Sequence, residues 1–391
     1  MKNILFMHQT SAIGGGSYCL LNILKAIDRN KVSPLVCLAS EGPLCQELSL
    51  LGIKYVIFKE LKDIPYNKSL FRFKSVLAYY HISISQLSFK NLLSLYKIDV
   101  VYLNNMMLYP YLKSAKEYGA NTILHCREHW PLNQHVFQLN RARHFVYKYA
   151  DELIAINKYS ASIFPEKKST IVYDWIDMSE RYEFMPMDSL IGEDASDKKI
   201  YLYTGGNQII KGLLQVVKGF HLCIKDSNAR LLIVGDICVG KGSYPKRMVK
   251  KVLSALGKKF YYNELNELLE RDKRIRIIDS TYKIQHIYQQ SYCMLSYFTI
   301  PHANLSLAEA IINNLVCVAA KTEESLEYSD DGNLCILFEL GDFEDFSKKL
   351  EMLNDEYETI KNRMKLYSNT IQEKFSKDVN SFAINSIINS I

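Results

Sequence analysis

No apolar stretch in the 391 residues approaches the roughly 20 needed to cross a bilayer as a helix, which argues against an integral membrane protein. The start, Met1-Lys2-Asn3-Ile4-Leu5-Phe6-Met7, turns polar at His8-Gln9-Thr10, too soon for the apolar core of a secretory leader. A cytoplasmic location is therefore expected, with a strand opening the chain. The nine cysteines are scattered singly with no C-x-x-C pair, which fits a reducing compartment and a fold without structural zinc. Internal repeats and low-complexity tracts are also lacking. So are helix-turn-helix, RNA-binding and zinc patterns, and no nucleic-acid partner is expected.

What is present is a globular composition, 48% hydrophobic with 23% charge, in a chain long enough for two cores. The net charge of +6 is uneven: residues 1–175 hold 21 Lys/Arg against 12 Asp/Glu, and residues 176–391 hold 27 against 30. A basic first half points toward an anionic partner, or toward a lysine-rich surface kept for solubility.

Short β-branched runs alternate with helix-length amphipathic segments, the pattern of parallel sheets covered by helices. The first series of strands is predicted near Asn3–Met7, Leu35–Ala39, Tyr55–Phe58, Val100–Leu103, Thr122–His125, Leu153–Ile156 and Thr170–Val172. Residues 176–197 lose periodicity, as a connection would. Strands resume near Ile200–Tyr203, Arg230–Val234, Ile275–Ile278, Cys293–Leu295, Val316–Ala319 and Cys335–Leu337, and residues 343–391 read as helix alone. The expected class is α/β, with two doubly wound Rossmann-like domains, 1–175 and 176–375, and a last helix at about 376–391 packing back on the first. Lys246, Arg247, Lys250 and Lys251 form a basic stripe or a solvated helix face.

Three segments carry chemistry. The first strand runs into a turn containing Gly14-Gly15-Gly16 before a helical pattern, where backbone N–H groups and the helix dipole favour an anion. The dinucleotide fingerprint G-x-G-x-x-G fails because Cys19 stands where the third glycine belongs, and a nicotinamide cofactor is disfavoured. In the second series, Thr204-Gly205-Gly206-Asn207-Gln208-Ile209-Ile210-Lys211-Gly212 carries a lysine to a helix start, where a cation opposes the dipole; its ammonium meets a phosphate, or it is an ordinary exposed lysine. Finally, Pro301-His302-Ala303-Asn304-Leu305-Ser306 opens a helix with Glu309 one turn inside an apolar face. A carboxylate there needs a partner: ribose hydroxyls, or an internal salt bridge.

These segments, with Leu231-Leu232-Ile233-Val234-Gly235-Asp236 and Tyr173-Asp174-Trp175-Ile176-Asp177, resemble in order and spacing the family four retaining glycosyltransferases of the GT-B fold. The resemblance spans nearly the whole chain and implies two domains facing a cleft and a nucleotide-sugar donor as substrate, without a cofactor. It implies that Lys211 contacts the donor pyrophosphate, that Glu309 takes the ribose, and that the backbone of Asn304 and Leu305 lies near the terminal phosphate. Gly206, Gly235, His302 and Ser306 belong to the same donor site, and Gly14, Gly15 and Gly16 close on it from the first domain. His125, Arg127, Glu128 and His129 occupy the place of the first-domain group beside the reacting sugar, with His125 and Glu128 named as catalytic. Two positions depart from the family pattern: Pro301 replaces the first glutamate of its pair, and Gly206 replaces an arginine five residues before the lysine.

The implied reaction retains configuration. The absence of any D-x-D triplet agrees with independence of metal ions. On the acceptor side, residues 62–97 interleave Lys62, Lys68, Arg72, Lys74, Lys90 and Lys97 with Phe71, Phe73, Tyr79, Tyr80, Phe89 and Tyr96. That mixture suits a membrane surface or a lipid-linked saccharide acceptor, or else a helix packing its aromatic side into the core. The implied acceptor is a surface glycan or its lipid-linked precursor, with the protein peripheral on the inner membrane face. A sugar-nucleotide 2-epimerase and a non-catalytic sugar-nucleotide or glycan-binding protein are the rival readings.

Overall fold

A computed structural model of the chain describes every residue except 66–72, 135, 178–183, 207, 236, 238–260 and 282–283, and every side chain of the described residues except 73–75 and 368. The stripe of Lys246, Arg247, Lys250 and Lys251 lies outside the described residues, as do Lys68, Phe71, Arg72 and the side chains of Phe73 and Lys74. The chain divides into two compact units, Met1–Asp177 with Lys374–Ile391, and Met178–Glu373.

In the first unit seven parallel strands, β1 (Lys2–Met7), β2 (Val32–Leu38), β3 (Lys54–Ile57), β4 (Val100–Leu103), β5 (Asn121–Cys126), β6 (Glu152–Ala155) and β7 (Thr170–Ile171), lie in the order β3-β2-β1-β4-β5-β6-β7. β1 sits in register between its neighbours, Leu5 opposite both Leu35 and Val101. Alternate residues feed opposite cores. Leu5, Met7, Val101, Leu103 and Leu124 belong to one, and Ile4, Phe6, Val100, Tyr102 and Ile123 to the other. Burial on both faces is why these strands read as continuous apolar runs.

The second core also takes in Ile384, Ile387 and Ile388 of the helix Lys377–Ser390. Asn385 of that helix donates to the Ala26 carbonyl at 3.0 Å and accepts from the Asp28 amide at 3.1 Å, while Asn380 accepts from the Tyr173 amide at 2.9 Å.

The second unit holds six parallel strands, β8 (Lys199–Thr204), β9 (Ala229–Val234), β10 (Ile275–Ile278), β11 (Cys293–Ser296), β12 (Val316–Lys321) and β13 (Ile336–Glu339), in the order β10-β9-β8-β11-β12-β13. The stretch read as an aperiodic connection contains a short helix, Met187–Ile191, anchored where the Met187 amide donates to Gln290 at 3.1 Å. In both sheets the strand order reverses beside the first strand, between β1 and β4 and between β8 and β11. The carboxyl ends of those pairs are where open α/β sheets bind ligands. Among the described residues no helix is long and apolar enough to cross a membrane.

Candidate functional site

In the second unit, β8 delivers Thr204 to the glycines 205 and 206, a 3-10 turn spans Ile209–Lys211, and the helix Leu213–Cys223 follows. Lys211 thus ends the turn just before the helix, one step earlier than the sequence pattern suggested. Gly212, at φ +66°, makes the switch possible, and a Cβ there would stand 1.9 Å from the Tyr297 carbonyl oxygen at the end of β11. Gly235, past β9, packs against the backbone of Gly206, within 2.8 Å of where its own Cβ would be. The loop is also tied across the reversal point by the Thr299 amide, which donates to the Ile210 carbonyl at 2.9 Å.

From β11 the chain passes through Pro301 and His302 to Asn304, which caps the helix Leu305–Ile312. The Asn304 side chain accepts from the Leu307 amide at 3.2 Å and donates to Ser296 Oγ at 2.8 Å, so the helix start is fixed to the strand end. This leaves the amides of Leu305 and Ser306 at the positive end of the helix dipole. Glu309 accepts a hydrogen bond from the Tyr288 hydroxyl at 2.9 Å. Burial pushes its carboxyl up to about 7, against the opposing pull of Tyr288 and of the nearby Lys211 ammonium. Burial also lowers the Lys211 ammonium, and Glu309 opposes that shift. Among the described residues nothing forms an ion pair or hydrogen bond with the Lys211 ammonium.

In the first unit, β1 hands over to His8, which is 2% exposed. Ser17 Oγ gives its only proton to the Ala12 carbonyl at 2.7 Å, so His8 Nε2 donates to Ser17 at 3.0 Å and Nδ1 accepts from Asn104 Nδ2 at 3.1 Å. The ring is neutral, held down to about 4 by burial and by the Arg127 charge. Asn104 also donates to the Gly16 carbonyl at 3.2 Å and accepts from Arg127 Nε at 3.0 Å. Arg127 is paired with Asp174. The carbonyls of residues 12 and 16 are thereby drawn inward. A Cβ at Gly14 or Gly15 would meet nothing within 4 Å, and Gly14 is extended at φ −163°, so neither packing nor backbone geometry within the chain calls for glycine there.

The four candidates His125, Arg127, Glu128 and His129 separate. His125 is 1% exposed, and its Nδ1 accepts from the Tyr102 hydroxyl at 2.6 Å and from Arg127 at 3.3 Å. Its proton therefore sits on Nε2, which is buried without a hydrogen-bond partner, and burial with the Arg127 charge holds the ring well below its ordinary value. Glu128 accepts from the amides of Met106 at 3.0 Å and Arg127 at 3.1 Å, yet burial still pushes it up to about 7. His129 stacks on Tyr159, ring centroids 3.9 Å apart.

The aromatic set of 62–97 also divides. Phe89 is 0% exposed and belongs to the core, whereas Tyr80 is 61% and Tyr96 40% exposed.

Lys211 and Glu309 thus come together in the second unit with the start of the Leu305–Ile312 helix. Gly14, Gly15 and Gly16 share the first unit's reversal point with Arg127. Sequence reasoning missed Tyr288 and Asn104, and gave His8 and Asp174 no role of their own. His8 and Asn104 are each the first residue beyond a strand at the reversal point, a signal that could have found them. Tyr288, mid-helix between β10 and β11, offers no local signal.

No protein-family model and no curated protein matches the chain. Solved structures do. The Anabaena protein HepE, in complex with UDP-glucose, superposes with a TM-score of 0.75 at 16% identity over 100% of both chains. A glycosyltransferase from Rickettsia africae gives 0.69 at 15% identity, over 99% of this chain and 97% of its own. Sucrose-phosphate synthase from Thermosynechococcus elongatus gives 0.71 at 12% identity, over 100% and 99%. At such identities the likeness is one of architecture: two parallel-sheet α/β domains in the fold of the GT-B glycosyltransferases.

Proposed function

We propose that this chain is a glycosyltransferase that moves a sugar from a nucleoside-diphosphate donor to a hydroxyl of a glycan or lipid-linked acceptor, with retention and without a metal ion. The observation that carries the reading is Lys211. Burial lowers the pKa of its ammonium, no ion pair or hydrogen bond among the described residues holds it, and it is set near Glu309 at the carboxyl ends of β8 and β11. A diphosphate supplies a direct anionic partner for it. Lys211 and the amides of Leu305 and Ser306 bind it and stabilise the charge that develops as the sugar–phosphate bond breaks. Glu309 accepts from the ribose hydroxyls. Gly206, Gly235 and His302 complete the donor site as backbone and wall. HepE was solved with UDP-glucose, which makes a uridine nucleotide the first donor to test.

In the first unit, the open space at Gly14 and Gly15 supports close approach of a ligand to the backbone, with Gly16 held from behind by Asn104. Glu128 is the group for the reacting sugar or acceptor, and His125 acts behind it through Arg127. The acceptor reading brings with it a peripheral, cytoplasmic position on a membrane. Val76, Tyr80, Ile84 and Leu87 are each more than half exposed. Between Asp63 and Asp99 the sequence carries five Lys/Arg and no acidic residue.

Purified protein screened against UDP-, GDP-, ADP-, TDP- and CMP-sugars, with diphosphate release followed in chelator and a lipid extract, tests the reading. Selective binding with release in chelator is expected. No binding to any donor removes it.

A further inference from the structure

The carboxylate at Glu309 is held by a residue with no part in the reading above. Tyr288, on the helix Ile284–Gln290, is 1% exposed, and its hydroxyl donates to Glu309 Oε2 at 2.9 Å. Among the described residues no hydrogen bond reaches Oε1. The hydroxyls of Thr204 and Ser306 lie near the phenol oxygen, whose own proton goes to Glu309. Burial and the neighbouring carboxylate keep that phenol protonated, well above its ordinary range, so it is a permanent donor. We propose that Tyr288 is a positioning residue: by holding Oε2 it turns Glu309 so that Oε1 faces a bound ribose, and the bond it donates favours the ionised carboxylate. This inference rests on the donor-site reading for the identity of the ligand.

The geometry isolates Tyr288 as the group that acts. The helix Leu305–Ile312 packs against the helices Ile284–Gln290 and Glu323–Tyr328 and against β11 and β12. Of all groups on these elements and on the turn before Leu213, only Tyr288 and Lys211 act on the Glu309 carboxyl. Of the two, only Tyr288 holds the carboxylate by a hydrogen bond, and its ring is 1% exposed.

Tyr288→Phe keeps the ring and removes the donor. The Glu309 carboxyl is followed by its carbon chemical shift against pH in ligand-free protein, identified by its loss in Glu309→Gln, and UDP affinity is measured calorimetrically from pH 6 to pH 9. Expected in Tyr288→Phe are an upward move of the Glu309 midpoint and UDP binding about tenfold weaker than wild type at pH 7, a deficit that narrows toward pH 9 without vanishing. A purely structural role predicts instead a loss of affinity that is the same at every pH, with an unchanged Glu309 midpoint, and that outcome overturns the inference. If wild type fails to bind UDP at all, the donor reading with uridine falls. The ligand-free midpoint still decides whether Tyr288 favours the ionised carboxylate.

Discussion

Replacing Glu309 by glutamine removes a charge that the fold resists. The Glu309 carboxyl titrates at about 7 in the folded chain against an ordinary 4.5, with burial the largest cause. A value raised on folding means that the stabilisation is fully present below the unfolded-state value and is lost as pH rises through about 7. Each pH unit of that interval is worth about 1.4 kcal/mol, so above neutrality the ionised carboxylate costs the ligand-free protein up to about 3 kcal/mol. Glutamine keeps the shape and a group able to accept from Tyr288, and never ionises. Urea unfolding of the second unit's transition, for both proteins from pH 4.5 to pH 8, should show near-equal stability at the acid end and Glu309→Gln more stable by up to about 3 kcal/mol at pH 8. The same variant should bind nucleotide diphosphates at least tenfold more weakly, since a hydrogen bond to a charged acceptor is worth about 1.5–3 kcal/mol. A variant less stable than wild type at pH 8, or a difference independent of pH, would refute the reasoning. Glu309 would then be part of a structural ion pair.

Lys211→Ala should weaken nucleotide-sugar binding by about 10–100-fold with an unchanged or raised melting temperature, because burial of its ammonium outweighs the pull of Glu309 and no ion pair among the described residues is lost; calorimetry beside a thermal scan checks both. Gly15→Ala should leave stability unchanged or slightly higher while lowering donor or acceptor affinity, since its Cβ meets only open space. Gly212→Ala, at φ +66° and with Tyr297 in the way, should be destabilised by several kcal/mol; equal melting temperatures for the two alanine variants would contradict the steric argument. Tyr80→Asp with Ile84→Asp should lower binding to phosphatidylglycerol vesicles about tenfold or more while nucleotide binding stays as in wild type, and co-sedimentation that is unaffected removes the membrane contact.

The strands were legible because a parallel sheet buried on both faces writes itself as short apolar runs. Val100-Val101-Tyr102-Leu103, wholly buried, is an example. Boundaries governed by single backbone angles were less so. Nothing in Ile209-Ile210-Lys211-Gly212 distinguishes a helix start from a 3-10 turn followed by a glycine at φ +66°, because the choice depends on the approach of Tyr297 from a strand some 90 residues on. Glu309 was identifiable as a carboxylate needing a partner, since a charge among Leu307, Ala308, Ala310 and Ile311 breaks the pattern. Its partner was not, because Tyr288 reads as an ordinary core aromatic until the two helices are side by side. The residues behind the first unit's glycines were hidden for the same reason. His8, Asn104, Arg127 and Asp174 come from four separate places in the chain, and hydrogen bonds between them leave no spacing to read.

The helix Lys377–Ser390 gives the molecule an order of assembly. Its isoleucines fill the same core as Ile4 and Phe6, and Lys377 meets Asp177 at 2.7 Å beside the hydrogen bond from the Ile176 amide to the Phe375 carbonyl. Seen from a ribosome, the unit that is begun first is completed last. Residues 178–373 emerge as an uninterrupted set and can form their own core while the earlier sheet waits, one face open, for a segment made some 200 residues later. During synthesis the exposed apolar surface therefore belongs to the N-terminal half, and damage at the far end of the chain is felt at its beginning.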